Sequence, residues 1–153
     1  MAPSAYNNNV QIVQTRDHVM LLNEMIHHAR VIPLNSRGRM PGHVRMWGGD
    51  SRARWDGETL VVTTTNFRGE GTGQVVLRGT SGDKLTLTER FRRTGPDALL
   101  YEFTVEDPET WVAPWTVQLP MTRTDEPIYE YACHEGNYGM VNMLKGARAQ
   151  EQR

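Results

Sequence analysis

The chain has 153 residues and is almost neutral, with 17 basic and 18 acidic side chains and a formal net charge of −1. This length fits one domain with a single moderate core, and the balanced charge excludes electrostatic recognition of nucleic acid or of an anionic membrane. Hydrophobic residues make up 38% of the chain and charged residues 23%. These values are typical of a folded globular protein, and no apolar run is long enough to span a bilayer.

The first part of the chain predicts three strands. Apolar and polar residues alternate over 10–15 and 18–24, which predicts a hairpin, and 29–34 predicts a third strand. Glycine and proline interrupt the alternation over 35–42.

Three further hairpins and one helix follow. The clearest hairpin covers 52–66, where Asp56 and Gly57 supply a turn with positive φ between an aromatic-bearing strand and a β-branched one. The other predicted elements are a hairpin of 84–92 with 99–105, a hairpin of 115–121 with 128–133, and a short helix over 138–149.

These elements predict an all-β fold of one domain over residues 1–153. About eight or nine short strands joined mostly by turns make an antiparallel meander, whose exposed edges disappear if the sheet closes. We therefore expect an antiparallel up-and-down β-barrel of lipocalin-like shape with a short C-terminal helix, and a β-sandwich is the alternative.

Glu89 is the one carboxylate on an otherwise apolar strand face. Alternation places it beside Leu85, Leu87 and Phe91. A buried carboxylate without a partner is costly, so Glu89 is expected either to form an ion pair with an arginine or to serve as a general acid or base. In the second case Tyr101, on the apolar face of 99–105, would stabilise developing charge or bind substrate.

The segment EYACHEGNY, residues 130–138, combines a thiol, an imidazole, carboxylates, an amide and phenols. His134 falls at a predicted strand end and is the best candidate for proton transfer, because its ordinary pKa lies near neutrality. The remaining polar side chains of this segment would orient it, stabilise charge or bind substrate: Tyr131, Glu135, Asn137 and Tyr138. The alternative is a surface histidine that caps the strand end.

Further candidates for substrate contacts lie outside this segment. The stretch WGGDSR offers Trp47, Asp50 and Arg52 as a ligand-contacting loop, or else forms a bulge and turn that enters the next hairpin. Trp115 could pack against an apolar or sugar-ring face.

Metal and redox chemistry have weak support. No HxH or HExxH spacing is present, so no cofactor is predicted, and the ligands of a divalent metal, if one binds, would be His27, His43 and His134. A single cysteine, Cys133, excludes an internal disulfide.

Several phrases resemble a large family of bacterial hypothetical proteins, which look secreted or periplasmic and are common in soil bacteria. The phrases are QIVQT (11–15), RWDGETLVV (54–62), TERF (88–91), YEFTVEDP (101–108), PW (114–115) and YACHEGNY (131–138). The resemblance covers nearly the whole chain and supplies no catalytic residues. Because those relatives often carry a leader or extension that this sequence lacks, it implies a periplasmic or secreted origin, with a cytoplasmic location as the alternative.

Three functions are compatible with these patterns. The first is an enzyme that performs acid–base chemistry in a barrel cavity, as a lyase, isomerase or hydrolase on a small organic or carbohydrate-derived substrate. The second is a non-catalytic, lipocalin-like protein that binds a small molecule in a mainly apolar cavity. The third is an assembly domain with an exposed apolar patch. The expected partner is a small molecule, and a homodimer through one sheet face is possible.

Overall fold

The computed structural model describes residues 9–24, 27–36, 38–69, 82, 84–129 and 138–151, which are mainly β. Eight strands precede one helix in these residues. They are β1 (Val10–Gln14), β2 (His18–Asn23), β3 (Ala29–Pro33), β4 (Asp50–Asp56), β5 (Thr59–Thr65), β6 (Thr86–Gly95), β7 (Ala98–Glu106), β8 (Trp115–Thr122) and α1 (Gly139–Glu151).

The predicted hairpins in the described residues are confirmed, with one exception at the last predicted strand. Ile128 and Tyr129 belong to no strand, and the rest of that predicted strand lies outside the described residues. Pro127 directly precedes them, and its missing N–H disfavours a regular ladder at this point. The predicted helix is confirmed as α1.

The strands pair antiparallel in chain order and form two sheets. One has the order β1-β2-β3 and the other the order β4-β5-β6-β7-β8. A parallel bridge between Leu34 and Ala53 links the end of β3 to β4, and the Asn35 amide donates to the Ala53 carbonyl at 2.8 Å. The described strands form no closed barrel.

The turn between β4 and β5 forms where the sequence predicts it. Gly57 has a φ of 58°, which glycine reaches without the steric penalty that a Cβ would bring. Asp56 pairs with Thr59, so two residues connect the strands. The register of this hairpin then fixes which β5 residues face inward.

The core lies between the inward faces of the two sheets. A single cluster of buried side chains contains Val19, Leu21 and Ile32 from the three-stranded sheet together with residues of every strand from β4 to β7. Rings of neighbouring strands also stack, with the centroids of Phe91 and Tyr101 4.8 Å apart. Because both sheets contribute to one cluster, the two sheets share one core.

The outward faces of the two sheets differ in character. On the five-stranded sheet, pairing across four strands produces a polar row of threonines, Thr63, Thr88, Thr104 and Thr116. On the three-stranded sheet, apolar side chains point outward as well as inward. We call the apolar part of this surface the outer apolar face, which comprises Val13, Met20, Leu22, Ala29, Val31 and Pro33, and Gln11 and His18 point to the same side of the sheet.

Candidate functional site

Two of the predicted site residues, Glu89 and Tyr101, meet in the core, together with an arginine from the opposite sheet. Glu89 lies on the inward face of β6 between Val62 and Phe103 of the neighbouring strands. Its two carboxylate oxygens accept hydrogen bonds from Arg30, Nη1 to Oε2 at 2.6 Å and Nη2 to Oε1 at 2.9 Å. The Tyr101 hydroxyl donates to Oε1 at 3.0 Å.

This group is almost sealed from solvent. The side chain of Glu89 is 1% exposed and that of Arg30 is 10% exposed. Burial alone would raise the pKa of Glu89, but the Arg30 charge and the hydrogen bonds from Arg30 and Tyr101 outweigh it and lower that pKa to about 2. Burial and the adjacent carboxylate raise the pKa of Tyr101. At neutral pH the group is therefore an ionised pair with a protonated phenol.

The geometry favours the structural ion pair for Glu89. A carboxylate with so low a pKa carries no proton to donate at neutral pH and is a weak base. Sequence reasoning missed the partner, Arg30. The pattern that indicated Glu89 also applies to Arg30, because Arg30 is a charged residue on the same strand face as the buried Ile32.

Three nitrogen atoms are buried and have no hydrogen-bond partner in the described structure: His28 Nδ1, Arg30 Nε and Trp115 Nε1. His28 and Arg30 are two residues apart and so lie on one face of the chain as it enters β3. Burial, followed by the Arg30 charge, lowers the pKa of His28, so its imidazole is neutral near pH 7. The Trp115 ring contacts Phe103, with centroids 5.9 Å apart.

The histidine ring rests against the loop that precedes β4. A Cβ added at Gly48 would lie 3.2 Å from both Cε1 and Nε2 of His28, so the absence of a side chain at Gly48 leaves room for the imidazole. Trp47, a predicted ligand contact, is 53% exposed in the same loop. The Arg68 guanidinium lies 5.0 Å from the centroid of its ring.

A cavity of about 510 Å³ opens at the opposite end of the core. Its walls come from the first two strands and from the ends of the β4–β5 and β6–β7 hairpins. Six apolar side chains line it: Ile12, Val19, Trp55, Leu60, Phe91 and Leu99. Gln14, Glu58, Arg93 and Gly95 complete the lining. None of the predicted site residues contributes to this cavity.

Asp50 and Arg52 come together on the outward side of β4, away from Glu89. Asp50 is buried, forms an ion pair with Arg52 and accepts a hydrogen bond from the Met40 amide at 3.0 Å. Arg52 Nε donates to the Gly38 carbonyl at 2.6 Å. These bonds fasten residues 38–40 to the sheet, and Arg52 borders a shallow groove of about 340 Å³.

The remaining predicted residues do not gather with Glu89 in the described structure. Tyr138 is exposed and directly precedes α1, and His27 and His43 are exposed. In the described residues no three histidine, cysteine or carboxylate side chains form a group able to hold a metal ion. Predictions for Tyr131, His134, Glu135 and Asn137 fall on residues outside the described ranges.

Comparisons with protein-family models, with curated proteins and with solved structures find no match to this chain. Within the described residues, α1 is too short and too polar to cross a membrane.

Proposed function

We propose that the protein binds a small apolar or amphipathic molecule in the cavity between its two sheets. The observation that carries this proposal is the lining of the cavity, which is mainly apolar, whereas Glu89 and its partners fill the neighbouring core. A mainly apolar lining is the feature expected of a binding protein, and a histidine and a carboxylate in mutual contact would have favoured an enzyme.

The size and composition of the cavity fit a small ligand. Its volume of about 510 Å³ falls within the roughly 300–1,000 Å³ of typical small-molecule pockets. Burying apolar ligand surface here supplies about 25 cal/mol per Å². The aromatic rings of Trp55 and Phe91 favour a ligand with a ring or an alkyl chain, and Gln14, Glu58 and Arg93 offer hydrogen bonds or charge to its polar end.

A partly closed barrel serves this function better than a sandwich. The strands follow one another in chain order, and the parallel bridge between Leu34 and Ala53 continues the pairing from one sheet to the next. Such a sheet curls around an interior that can hold one ligand. The same order supports the barrel as the finer description of the fold.

The experiment uses 8-anilinonaphthalene-1-sulfonate as a fluorescent probe, with saturated fatty acids of eight to fourteen carbons as competitors. Leu99→Trp fills the cavity, and Leu100→Trp is the matched control, since Leu100 lies on the other face of the same strand and outside the cavity lining. We expect the unaltered protein and the control to bind one probe, and Leu99→Trp to bind at least tenfold more weakly. Equal affinities in all three proteins would contradict the proposal.

A second function, acid–base catalysis on a small substrate, is favoured by a separate observation. The unpartnered nitrogens of His28, Arg30 and Trp115 are able to bind the oxygen atoms of a substrate, and the neutral imidazole of His28 is able to accept a proton. This end of the core would support a lyase, isomerase or hydrolase, and His134, which lies outside the described residues, stays a sequence prediction for a proton-transfer group.

This second candidate is tested on any molecule that co-purifies with the protein, identified by native mass spectrometry. Catalysis predicts exchange or conversion of that molecule in heavy water, followed by NMR. Alanine at His28 or at His134 should slow the reaction at least tenfold, whereas alanine at the exposed His43 should not. An unchanged rate in both His28→Ala and His134→Ala would remove the proposal.

A further inference from the structure

The helix α1 presents an apolar stripe that packs on nothing in the described structure. All thirteen of its residues are exposed. Met140, Met143, Leu144 and Ala147 are spaced at i, i+3, i+4 and i+7, so they lie along one side of the helix. Met143 is 67% exposed and Leu144 50%. This spacing is the pattern of an amphipathic helix.

The outer apolar face of the three-stranded sheet is a second apolar surface, exposed at Val13, Ala29 and Val31 and half-buried at Met20, Leu22 and Pro33. Val13, Met20 and Val31 pair in a row across its three strands, and Leu22 pairs with Ala29 in the next row. Val31 is 67% exposed. A sheet that faces water on one side carries polar residues there, whereas a sheet covered on both sides is apolar on both.

Packing against another element would stabilise both surfaces. An isolated helix shorter than about 12–15 residues is marginal in water, and most helical stability in proteins comes from packing of the apolar side. Layers of helix on sheet are a common solution to this requirement. The α1 stripe and the outer apolar face are both apolar, so each could cover the other, and both belong to the same chain.

The two surfaces also match in size and charge. A 13-residue helix is about 20 Å long, and strands of five or six residues measure about 17–20 Å. Three strands are about 10 Å across from first to last, which is close to the diameter of a helix. Neither the stripe nor the outer apolar face contains an aspartate, glutamate, lysine or arginine, and the polar side chains on the same side of the sheet, Gln11 and His18, lie in its outer rows.

We propose that two copies of this chain associate by reciprocal exchange of their helices, with α1 of each copy lying on the outer apolar face of the other. Within one chain α1 leaves its own outer apolar face open, as the exposure of Val31 shows. Exchange covers two faces with two helices, so the contact forms twice in a two-fold symmetric dimer.

The test combines one charge on each surface with a matched control for each. Leu144→Glu places a carboxylate in the stripe, and Lys145→Glu changes charge at the next helical position, outside the stripe. Val31→Glu alters the outer apolar face, and Thr88→Glu alters the outward face of the five-stranded sheet. Mass is measured by light scattering after size exclusion at 5–200 µM, and circular dichroism verifies folding.

We expect the unaltered protein and both control variants to be dimers, and Leu144→Glu and Val31→Glu each to be monomers. An equimolar mixture of the two monomeric variants should regain a weaker dimer, because one copy keeps an intact helix and the other an intact outer apolar face. A merely misfolded variant would not be complemented in this way.

Three results would overturn the proposal. They are a monomeric unaltered protein at 200 µM, a dimer that resists both substitutions, and a mixture of variants that stays monomeric. If α1 instead covers its own chain, a Val31→Cys, Leu144→Cys chain in a Cys133→Ser background forms its disulfide within one molecule. If a second copy covers the face, mixing a Val31→Cys chain with a Leu144→Cys chain, both in the Cys133→Ser background, gives disulfide-linked dimers.

Discussion

Glu89 keeps a negative charge inside the core because Arg30 reaches it from the opposite sheet. The two guanidinium bonds and the Tyr101 hydroxyl compensate for the water that the carboxylate loses on burial. The net gain from such a pair is small, but loss of one partner leaves the other charge buried and uncompensated. The intact ion pair therefore adds little net stability, although loss of either partner is costly.

Glu89→Gln should destabilise the protein by about 3–5 kcal/mol, because it leaves the Arg30 guanidinium buried without a counter-charge. Denaturant unfolding followed by tryptophan fluorescence measures the change. Glu102→Gln is the control, since Glu102 pairs with Arg90 on the outward face, where ion pairs contribute about 0–1 kcal/mol.

The double variant Arg30→Met, Glu89→Met completes the test. Replacing both partners by apolar side chains removes the unpaired charge, so it should recover most of the stability that Glu89→Gln loses. A Glu89→Gln protein as stable as the Glu102→Gln control would contradict the assignment of this pair to the core.

The same pair predicts how stability depends on acid. The pKa of Glu89 falls from an ordinary 4.5 to about 2 in the folded protein, so the unfolded chain binds its proton first as the pH drops. Stability from this group is complete above about pH 5 and is lost progressively as the pH falls through 4.5 toward 2. The loss is on the order of 3 kcal/mol. Unfolding free energies at pH 7, 4 and 2.5 measure it, and the Glu89→Gln protein should lack this component.

At the scale of single elements, the loop before β4 depends on a glycine that has no substitute. Gly49 has a φ of 70°, and a Cβ there would lie 2.6 Å from Thr64 Cγ2 and 2.7 Å from the Thr65 carbonyl. The adjacent Gly48 makes room for the His28 ring. The glycine pair therefore places this loop against both sheets at the end of the core that holds the unpartnered nitrogens.

Gly49→Ala should cost more than the roughly 1–2 kcal/mol of a left-handed backbone conformation, because steric overlap with backbone adds to it. Gly57→Ala is a matched control, with a φ of 58° and no heavy atom within 4 Å of the added Cβ. Thermal unfolding of both variants gives the comparison. Equal losses of stability in the two variants would show that the loop shifts freely and that the close contact of Gly49 with Thr64 and Thr65 is unimportant.

Local patterns predicted the hairpins well and the site poorly, for one physical reason. Alternation and turn residues such as Gly57 act between neighbours in sequence, so strand pairs and the buried face of β6 follow from them. The pairing of Arg30 with Glu89 joins residues 59 positions apart, and no local signal states which sheet will face which. For the same reason the sequence predicted that a cavity exists but not which residues line it, because its walls come from both sheets. Trp47 and Asp50 were predicted as ligand contacts from local composition alone.

At the scale of the whole molecule, the two sheets share a core and should unfold together. Leu21→Ala in β2 should lower the unfolding free energy by about 2–5 kcal/mol. Its effect should be visible in tryptophan fluorescence, although none of the four tryptophans lies in the three-stranded sheet. Leu100→Ala, on the outward face of β7, should cost clearly less. If Leu21→Ala left the unfolding transition seen by tryptophan fluorescence unchanged, the two sheets would unfold separately.

The two apolar sides of the three-stranded sheet have a consequence for synthesis. Residues 10–33 leave the ribosome before the strands that cover the inward side of their sheet, and the last of these, β7, ends at Glu106, some seventy residues later. At a synthesis rate of about 5–20 residues per second, both sides of the sheet formed by β1, β2 and β3 stay exposed to water for roughly 4–15 s. The nascent chain is thus a substrate for chaperones during this interval, and faster chaperone capture, more than a more stable native state, should raise its yield in a host cell.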